Sequence, residues 1–317
     1  DVEFSTNIFK IFIKGAKGMT QHNLHDKCPL CGSSDIKNKY EKSKYTLDRC
    51  NNCTVVFVKN ILSKEEINRV YREAFDDGVY TDTNTDYLNF YYEKLIGEID
   101  LLCPGKGSVL DIGCSAGQFL DVMEGWTRHG VEISQRYAEI AQAKYGENIF
   151  IGNIEDYPLD HGPFDLITLQ DVLDHFTDPS RVLASCEKLL KPGGHIVIKV
   201  HNIGCLYAKI TRGNFYAIIP PTHLFYFTIE SLHHLLHRHN FSVVDHKFIP
   251  HRLKLQTIFS RLSRDNHESI YFKIYETLKG TYIGDKISVR KNLHDIVTLF
   301  AKKEDKLMDL TNASGNK

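Results

Sequence analysis

From residue 105 to residue 248, short apolar runs alternate with stretches in which apolar residues recur every three or four positions. Runs of the first kind are typical of buried parallel strands, and stretches of the second kind are typical of amphipathic helices. The predicted strands are Val109–Ile112, Thr127–Ile133, Ile149–Gly152, Phe164–Leu169, His195–Val200 and Phe241–Phe248. This alternation of strands and helices predicts an α/β fold with a doubly wound parallel sheet.

Helix signals fill the gaps between these strands. Ser134 precedes the predicted helix Gln135–Tyr145 as an N-cap, and Thr228 stands in the same position before a later helix. A third helix, Arg181–Lys191, is expected to end at Pro192-Gly193-Gly194, because this tripeptide breaks helices.

Residues 61–104 are expected to cover the sheet as a helical lid. Ser63 and Glu66 have the spacing of a capping box, which marks a helix start. Apolar residues then recur at helical spacing from Tyr91 to Leu102, so this face should pack on the sheet.

The two ends of the chain carry weaker patterns. Residues 249–317 predict a mostly helical extension, with one helix around Ile270–Leu278 and another over Asn292–Lys306. Residues 1–24 are expected to be an N-terminal extension, in which Met19 is typical of a natural start. The apolar run at residues 7–13 is not typical of a signal peptide, because no small-residue cleavage site follows a proper apolar core.

Four of the eight cysteines stand in two pairs, Cys28/Cys31 and Cys50/Cys53, in the pattern C-x2-C-x18-C-x2-C. Each pair can turn two thiolates toward one ion, and four thiolates suit tetrahedral Zn²⁺. With the short alternating segments around the second pair, this predicts a zinc ribbon over residues 25–60. The zinc is expected to be structural, because four cysteine ligands leave no open position for catalysis. Two disulfides or four free thiols are the alternatives.

The stretch Ser108–Gly117 leads a strand through glycines into a helix, which is typical of a nucleotide-type ligand site. Gly113 and Gly117 permit a tight turn and close approach of a ligand. Their spacing does not match the G-x-G-x-x-G pattern of dinucleotide sites, and Asp111 is unsuited to a pyrophosphate. The aspartate suits a cationic ligand instead, such as S-adenosylmethionine, which carries an ammonium and a sulfonium. An ordinary strand–turn–helix is the alternative.

A second acid, Glu132, stands at the tip of the next predicted strand. An acid in this position accepts hydrogen bonds from both ribose hydroxyls of an adenosine. A solvated charge at a strand end is the alternative, and the pairing with Asp111 favours the ligand role.

The D-x-G-x-x-x-G pattern around Asp111 resembles motif I of the class I S-adenosylmethionine-dependent methyltransferases, a family that usually has a glycine where Ser115 stands. The resemblance implies a Rossmann-like sheet of seven strands, with adenine contacts in the loop after the third strand. It implies a cofactor site built from Asp111, Gly113, Cys114, Ser115, Gly117, Glu132, Ile133, Asn153, Ile154 and Gln170.

From Cys28 to about residue 248, the chain is similar to the zinc-ribbon methyltransferases found beside sugar and polysaccharide biosynthesis. The motifs that carry this similarity are the ribbon, L-D-I-G-C-S-A-G-Q-F-L, G-V-E-I-S, F-D-L-I-T-L-Q-D-V-L-D-H, L-K-P-G-G-H-I-V-I-K and T-H-L-F-Y-F-T. The similarity implies a sugar or nucleotide-sugar acceptor. Related sugar C-methyltransferases have a glutamate where Thr222 stands, which favours methylation of oxygen over carbon here.

His175 is the candidate general base, because it stands at the carboxyl end of the fourth strand and histidine titrates near neutrality. His223 precedes an aromatic run and can reach the same cleft. The structural alternative is that His175 bonds only to Asp174 or to the backbone.

A net charge of −1 disfavours a dedicated nucleic-acid binder. An RNA base methyltransferase that grips RNA with the ribbon stays open, because lysines 37, 39, 42 and 44 form a basic stretch there. A non-catalytic zinc-ribbon adaptor is the third hypothesis. No apolar run is long enough to span a membrane, and cysteines in metal-type spacing indicate a reducing compartment, the cytoplasm.

Overall fold

A computed structural model of the chain describes residues 23–61, 85–263 and 266–304, together with residues 63, 65–67 and 69. Its strands are β1 (Asn23–Leu24), β2 (Ile36–Lys42), β3 (Tyr45–Cys50), β4 (Val56–Val58), β5 (Asn60–Ile61), β6 (Ser108–Ile112), β7 (Thr127–Glu132), β8 (Ile149–Ile151), β9 (Phe164–Gln170), β10 (Leu190–His201), β11 (Phe225–Tyr226), β12 (Phe241–Lys247), β13 (His251–Lys254), β14 (Ser288–Lys291) and β15 (Ile296–Lys303). Its helices are α1 (Thr85–Leu102), α2 (Gln118–Val122), α3 (Gln135–Tyr145), α4 (Pro179–Leu189), α5 (Leu206–Thr211), α6 (Ile229–His237), α7 (Leu255–Ser263), α8 (Ile270–Leu278) and α9 (Tyr282–Lys286).

Seven strands form the main sheet, in the order β12-β15-β10-β9-β6-β7-β8. Five neighbouring strands of this sheet, β10, β9, β6, β7 and β8, are parallel to one another. Strand β15 runs antiparallel to both of its neighbours, β10 and β12. The predicted Rossmann-like α/β fold with seven strands is therefore confirmed. The sheet is mixed rather than wholly parallel, because β15 enters it from the opposite direction.

The helix predicted over Asn292–Lys306 is wrong, because β15 occupies most of this range. Leu293, Ile296, Val297 and Phe300 fit helical spacing, but residues 297–301 are all buried. A strand between two others is covered on both faces, so its apolar run is continuous rather than periodic. Helices α7–α9 lie earlier in this C-terminal part of the chain, between β13 and β14.

The predicted break at Pro192-Gly193-Gly194 is also misplaced. Helix α4 already ends at Leu189, and β10 starts at Leu190 and includes the tripeptide. The pairing of β10 with β9 shifts register between Leu190 and His195, so the tripeptide forms an irregularity within the strand rather than a loop before it.

The predicted helix starts are confirmed where the structure describes them. The Ser134 side chain accepts a hydrogen bond from the N–H of Tyr137, and Thr228 forms a capping box with Ser231. The Ser63 hydroxyl accepts from the N–H of Glu66 at 3.2 Å, and the Glu66 carboxylate accepts from the N–H of Ser63 at 3.1 Å.

Helix α1 packs on the sheet, as the helical spacing of apolar residues from Tyr91 to Leu102 predicts. Tyr91, Leu95 and Ile99 are completely buried, in one cluster with Val109 of β6 and Leu166 of β9. Nearly all of the 1–24 extension and most of residues 62–84 lie outside the described residues.

The cysteine-rich segment contributes to a separate four-stranded sheet, in the order β11-β4-β3-β2. Strands β2, β3 and β4 come from residues 36–58, whereas β11 lies within residues 105–248, the segment of alternating strands and helices. Phe225 pairs with Phe57 and Tyr226 with Val56 in this antiparallel contact. The sheet therefore joins the two sequence segments.

Candidate functional site

Asp111 lies near the carboxyl end of β6, at the centre of the main sheet. It stands in register with Gly130 of β7 and Thr168 of β9. The Thr168 hydroxyl donates a hydrogen bond of 2.6 Å to Asp111 Oδ1. Burial raises the pKa of the Asp111 carboxyl to about 7, although the Thr168 hydrogen bond acts in the opposite direction. A cationic group placed beside this carboxylate stabilises its ionised form.

The turn after β6 needs glycine at two positions. Gly113 has a φ of +74°, and a Cβ there would lie 2.5 Å from Cγ1 of Val172. Gly117 has a φ of +83°, and a Cβ there would lie 2.8 Å from Cε2 of Tyr145. The turn is thus closed on both sides by side chains, which explains why these two positions carry no side chain of their own.

Glu132 connects the tips of β6 and β7. Its Oε2 accepts a hydrogen bond of 2.9 Å from the N–H of Ser115, and its Oε1 accepts one of 2.8 Å from the N–H of Ser134. The buried carboxylate is therefore fixed against both turns, next to Asp111 on the neighbouring strand.

The remaining predicted cofactor residues follow the same edge of the sheet. Cys114 is buried, while Ile133 and Asn153 are partly exposed after β7 and β8. Ile154 is 1% exposed and lies in the main apolar core. Gln170 ends β9, and its Oε1 accepts a hydrogen bond of 3.3 Å from the Tyr91 hydroxyl.

The buried polar atoms at this edge that have no hydrogen-bond partner among the described residues include Ser115 Oγ and Gln170 Nε2. Buried polar groups are normally paired, so unpaired ones at a cleft indicate groups that a ligand satisfies. The two acids, the glycine turn and these two atoms fit a ligand with a cationic end and a polar sugar, as S-adenosylmethionine has.

Three histidines surround the buried carboxylate of Asp174, beyond the end of β9. His175 Nε2 lies 3.7 Å from Asp174 Oδ1, and His223 Nε2 lies 3.9 Å from Oδ2. His201 Nδ1, at the end of β10, lies 3.5 Å from the same Oδ2. The rings of His175 and His223 are in edge contact, with centroids 4.7 Å apart. The structure thus brings together the two histidines that the sequence singled out.

His201 was missed by the sequence reasoning. It is the last residue of β10, a buried strand. Glu132 was identified as a candidate because it has the same position at the end of β7. Applied to the fifth strand, the same reasoning would have included His201 among the candidates.

Burial shapes the charges of this cluster. It lowers the pKa of the His223 imidazole to about 3, against an opposite effect of the Asp174 carboxylate. Burial also opposes ionisation of Asp174, but the surrounding imidazoles outweigh it and hold the pKa of this carboxyl below its usual value.

The four cysteines of the two C-x2-C pairs converge, with all Sγ atoms within 4.8 Å of one another. Cys28 Sγ lies 3.5 Å from Cys53 Sγ, and Cys31 Sγ lies 3.5 Å from Cys50 Sγ. Tetrahedral zinc with bonds of about 2.3 Å holds neighbouring sulfurs about 3.8 Å apart, so the donor set fits this ion. All eight cysteines are free thiols in this structure, so it contains no disulfide.

The cysteine-rich sheet touches the histidine cluster through one stretch of backbone. The N–H of Val58 donates to the carbonyl of Leu224 at 2.9 Å, and the N–H of Leu224 donates to the carbonyl of Asp174 at 2.8 Å. Because Leu224 follows His223 directly, backbone hydrogen bonds link the cysteine-rich segment, Asp174 and the residue next to His223.

Within the described residues, no helix has both the length and the apolar character needed to cross a membrane.

Comparison with known proteins places residues 87–246, half of the chain, in the family described as "Methyltransferase domain". The chain is 33% identical over 113 residues to a ubiquinone biosynthesis O-methyltransferase of Thiobacillus denitrificans. The aligned region covers 33% of this chain and 49% of that protein. The chain is 33% identical over 123 residues to the enzyme of the same name from Vibrio parahaemolyticus, covering 36% and 50%. It thus spans about half the length of these relatives.

Among solved structures, the chain resembles a methyltransferase of Thermotoga maritima described as a possible histamine N-methyltransferase, at 19% identity and a TM-score of 0.48, over 75% of this chain and all of that one. It also resembles the 1,6-didemethyltoxoflavin-N1-methyltransferase of Burkholderia thailandensis, at 18% identity and a TM-score of 0.47, over 85% and 100%. On the sequence match over half of its length, the chain belongs to the methyltransferase domain family.

Proposed function

We propose that this protein is an S-adenosylmethionine-dependent O-methyltransferase that acts on a hydroxyl of a small molecule. One observation carries the proposal: two buried acids, Asp111 and Glu132, stand at neighbouring strand tips, and the histidine cluster follows the next strand of the same sheet edge. Open parallel sheets bind their ligands at this edge.

The first acid would hold the amino-acid end of the cofactor, and the second would hold its ribose. The bound cofactor supplies a methyl group on a sulfonium, which is a good leaving group. Ser115 Oγ and Gln170 Nε2 offer further polar contacts, because neither has a partner among the described residues. Asn153 and Ile133 flank the place where the adenine is expected to lie.

His175 would remove the proton of the acceptor hydroxyl. Its Nδ1 lies 2.9 Å from the carbonyl oxygen of Thr222, and a carbonyl only accepts, so Nδ1 carries the hydrogen. In the neutral ring, Nε2 then carries a lone pair, which can take the hydroxyl proton while the oxygen takes the methyl group. The Asp174 carboxylate stabilises the imidazolium that this step forms. His223 would position the acceptor against the same carboxylate.

The acceptor class is proposed from two sources that differ. The zinc-ribbon pattern and the shared motifs favour a sugar hydroxyl, free or nucleotide-linked, and Thr222 in place of a glutamate favours oxygen over carbon. The names of the relatives support oxygen methylation, but in ubiquinone biosynthesis. We propose the sugar hydroxyl as the first choice.

The test is incubation of the purified protein with methyl-labelled S-adenosylmethionine and three acceptor pools: nucleotide sugars, phenolic ubiquinone precursors and RNA. Methyl label in the sugar pool supports the proposal. Label in the phenolic pool alone would mean that the acceptor is a phenol and not a sugar. Label in RNA alone, or no binding of the cofactor, would refute the proposal.

The Cys28, Cys31, Cys50 and Cys53 set is proposed to hold a structural zinc ion. The support is the convergence of four free thiols at a spacing that fits one tetrahedral ion. Eight cysteines without a disulfide also favour a reducing compartment, and we propose the cytoplasm. Metal analysis of the purified protein should show zinc bound by the four thiolates, and this zinc should be lost on substitution of Cys50.

A further inference from the structure

We propose that Asp174, His175 and His223 form a second metal site, which takes a divalent transition-metal ion and thereby switches off the methyl transfer. This inference goes beyond the proposed function. It concerns a donor set separate from the four cysteines, and its first test needs no methyl acceptor.

The three side chains present their donor atoms to one common space. One carboxylate oxygen and the two imidazole nitrogens all lie within 4.8 Å of one another. The separations of 3.7 and 3.9 Å between the imidazole nitrogens and the carboxylate are too long for direct hydrogen bonds. Two ligands of one tetrahedral ion at about 2.1 Å are about 3.4 Å apart, so small side-chain rotations close the set around an ion.

Backbone carbonyls fix the tautomer of both histidines. His175 Nδ1 donates to the carbonyl of Thr222 at 2.9 Å, and His223 Nδ1 donates to the carbonyl of Ala217 at 2.8 Å. In the neutral rings, both Nε2 atoms therefore carry the lone pair, and they lie 3.7 and 3.9 Å from the Asp174 carboxylate. Metal-binding histidines have this arrangement, in which the outer nitrogen donates to a carbonyl or carboxylate and the inner one faces the ion.

The carboxylate also lacks a partner where the ion would bind. Asp174 Oδ1 is buried and has no hydrogen-bond partner among the described residues. The other oxygen, Oδ2, lies 3.5 Å from His201 Nδ1, and this contact helps to orient the carboxylate. Two lone pairs close to a buried carboxylate repel it, and a cation between them relieves this repulsion.

Imidazole and carboxylate donors indicate the kind of ion. Two histidines and one carboxylate suit zinc, iron(II), cobalt(II) or manganese(II), whereas magnesium and calcium prefer sets made of oxygen alone. Three protein ligands leave a position open, and the His175 side chain is 23% exposed, so an ion can enter from solvent.

An ion at this site would use the His175 Nε2 lone pair, which the acceptor proton needs. The same atom cannot bind a metal and accept a proton, so occupancy should inhibit turnover. Cofactor binding should be unchanged, because Asp111 and Glu132 are not among the ligands.

The experiment uses the full chain with its cysteine site already loaded with zinc, and titrates it with Co²⁺. Binding to imidazole and carboxylate gives visible d–d bands without the near-ultraviolet thiolate charge-transfer band of a cysteine site. We expect one Co²⁺ per chain with such a spectrum. His175→Ala, His223→Ala and Asp174→Asn should each weaken binding on the order of 100-fold or more. His237→Ala, on the exposed face of α6, is the matched control and should bind as the unmodified protein does.

Zinc content and thermal unfolding of each variant check the fold. If the buried His223 or Asp174 variant fails to fold, the more exposed His175 variant decides alone. Persistence of the d–d bands in His175→Ala, or a thiolate band as the only signal, would overturn the site. Metal binding without loss of turnover would overturn the inhibition. Failure of methyl transfer with every acceptor leaves the spectroscopic result intact, so the two proposals are tested separately.

Discussion

Replacing Asp111 by asparagine removes a charge from the centre of the sheet while keeping the shape of the side chain. The amide oxygen of the asparagine can still accept the Thr168 hydrogen bond, which is 2.6 Å long in the present structure. The Asp111→Asn substitution therefore isolates the energetic effect of a buried ionisable group whose proposed role is to bind a cation.

The magnitude follows from the pKa of Asp111, which burial raises from 3.8 to about 7. The folded chain binds this proton more tightly than the unfolded chain, so the free energy of unfolding falls as the pH rises from about 4 to about 7. The difference between a pKa of 3.8 and one of about 7, at about 1.4 kcal/mol per pH unit, lowers the free energy of unfolding by about 4 kcal/mol at pH 8. The asparagine side chain avoids this cost, so the variant should be more stable by up to about 4 kcal/mol at pH 8 and by nothing below pH 4.

The assay is urea unfolding at a series of pH values from 4 to 8, together with calorimetric binding of S-adenosylhomocysteine, which retains the ammonium group. The variant should bind this product about 10- to 100-fold more weakly, because a hydrogen bond to a charged group is lost. Asp156→Asn, at an exposed position, is the control and should change neither quantity. A variant that is less stable at pH 8, or equally stabilised at pH 4 and pH 8, would refute the reasoning.

Three further outcomes are expected. His175→Ala should lower kcat by about 10²- to 10⁴-fold and leave binding of S-adenosylhomocysteine unchanged in calorimetry; normal turnover would exclude the histidine as the base. Gly117→Ala should lower the free energy of unfolding by about 1–3 kcal/mol in urea, because its φ is +83° and the new Cβ meets Tyr145; an unchanged value would mean that the turn relaxes freely. Cys50→Ser should release the zinc of the cysteine site and lower the melting temperature, with lower turnover as well, since the cysteine-rich segment contacts the backbone next to His223; an unchanged thiolate charge-transfer band in the Co²⁺-loaded variant would contradict the assignment.

The local signals in the sequence predicted the elements that obey local rules. Ser134 and Thr228 cap their helices as expected, because capping depends only on residues within one turn. The strands from β6 to β9 are confirmed within one or two residues, since their apolar runs are bounded by clear turn signals. The convergence of the four cysteines was predicted for the same reason, as both pairs carry their spacing in the chain.

Elements that depend on distant partners were predicted poorly. The run at Ile296–Lys303 becomes a strand only because β10 and β12 leave a gap that it fills, and no residue near it in the chain reports that gap. Likewise His201 joins His175 and His223 only after the sheet has formed. The partition of the chain into separate ribbon and body segments remains a prediction, although one sheet contains strands of both.

Strand β11 shows what an N-terminal truncation of the protein would remove. It contains only Phe225 and Tyr226, and the strand it pairs with is Val56–Val58, roughly 170 positions earlier in the chain. A shortened polypeptide that begins after residue 61 would leave this two-residue strand without its neighbour and two buried aromatic rings without cover. The cysteine-bearing segment therefore completes a sheet that the later part of the chain contributes to, and a truncated form should be less stable than the full chain.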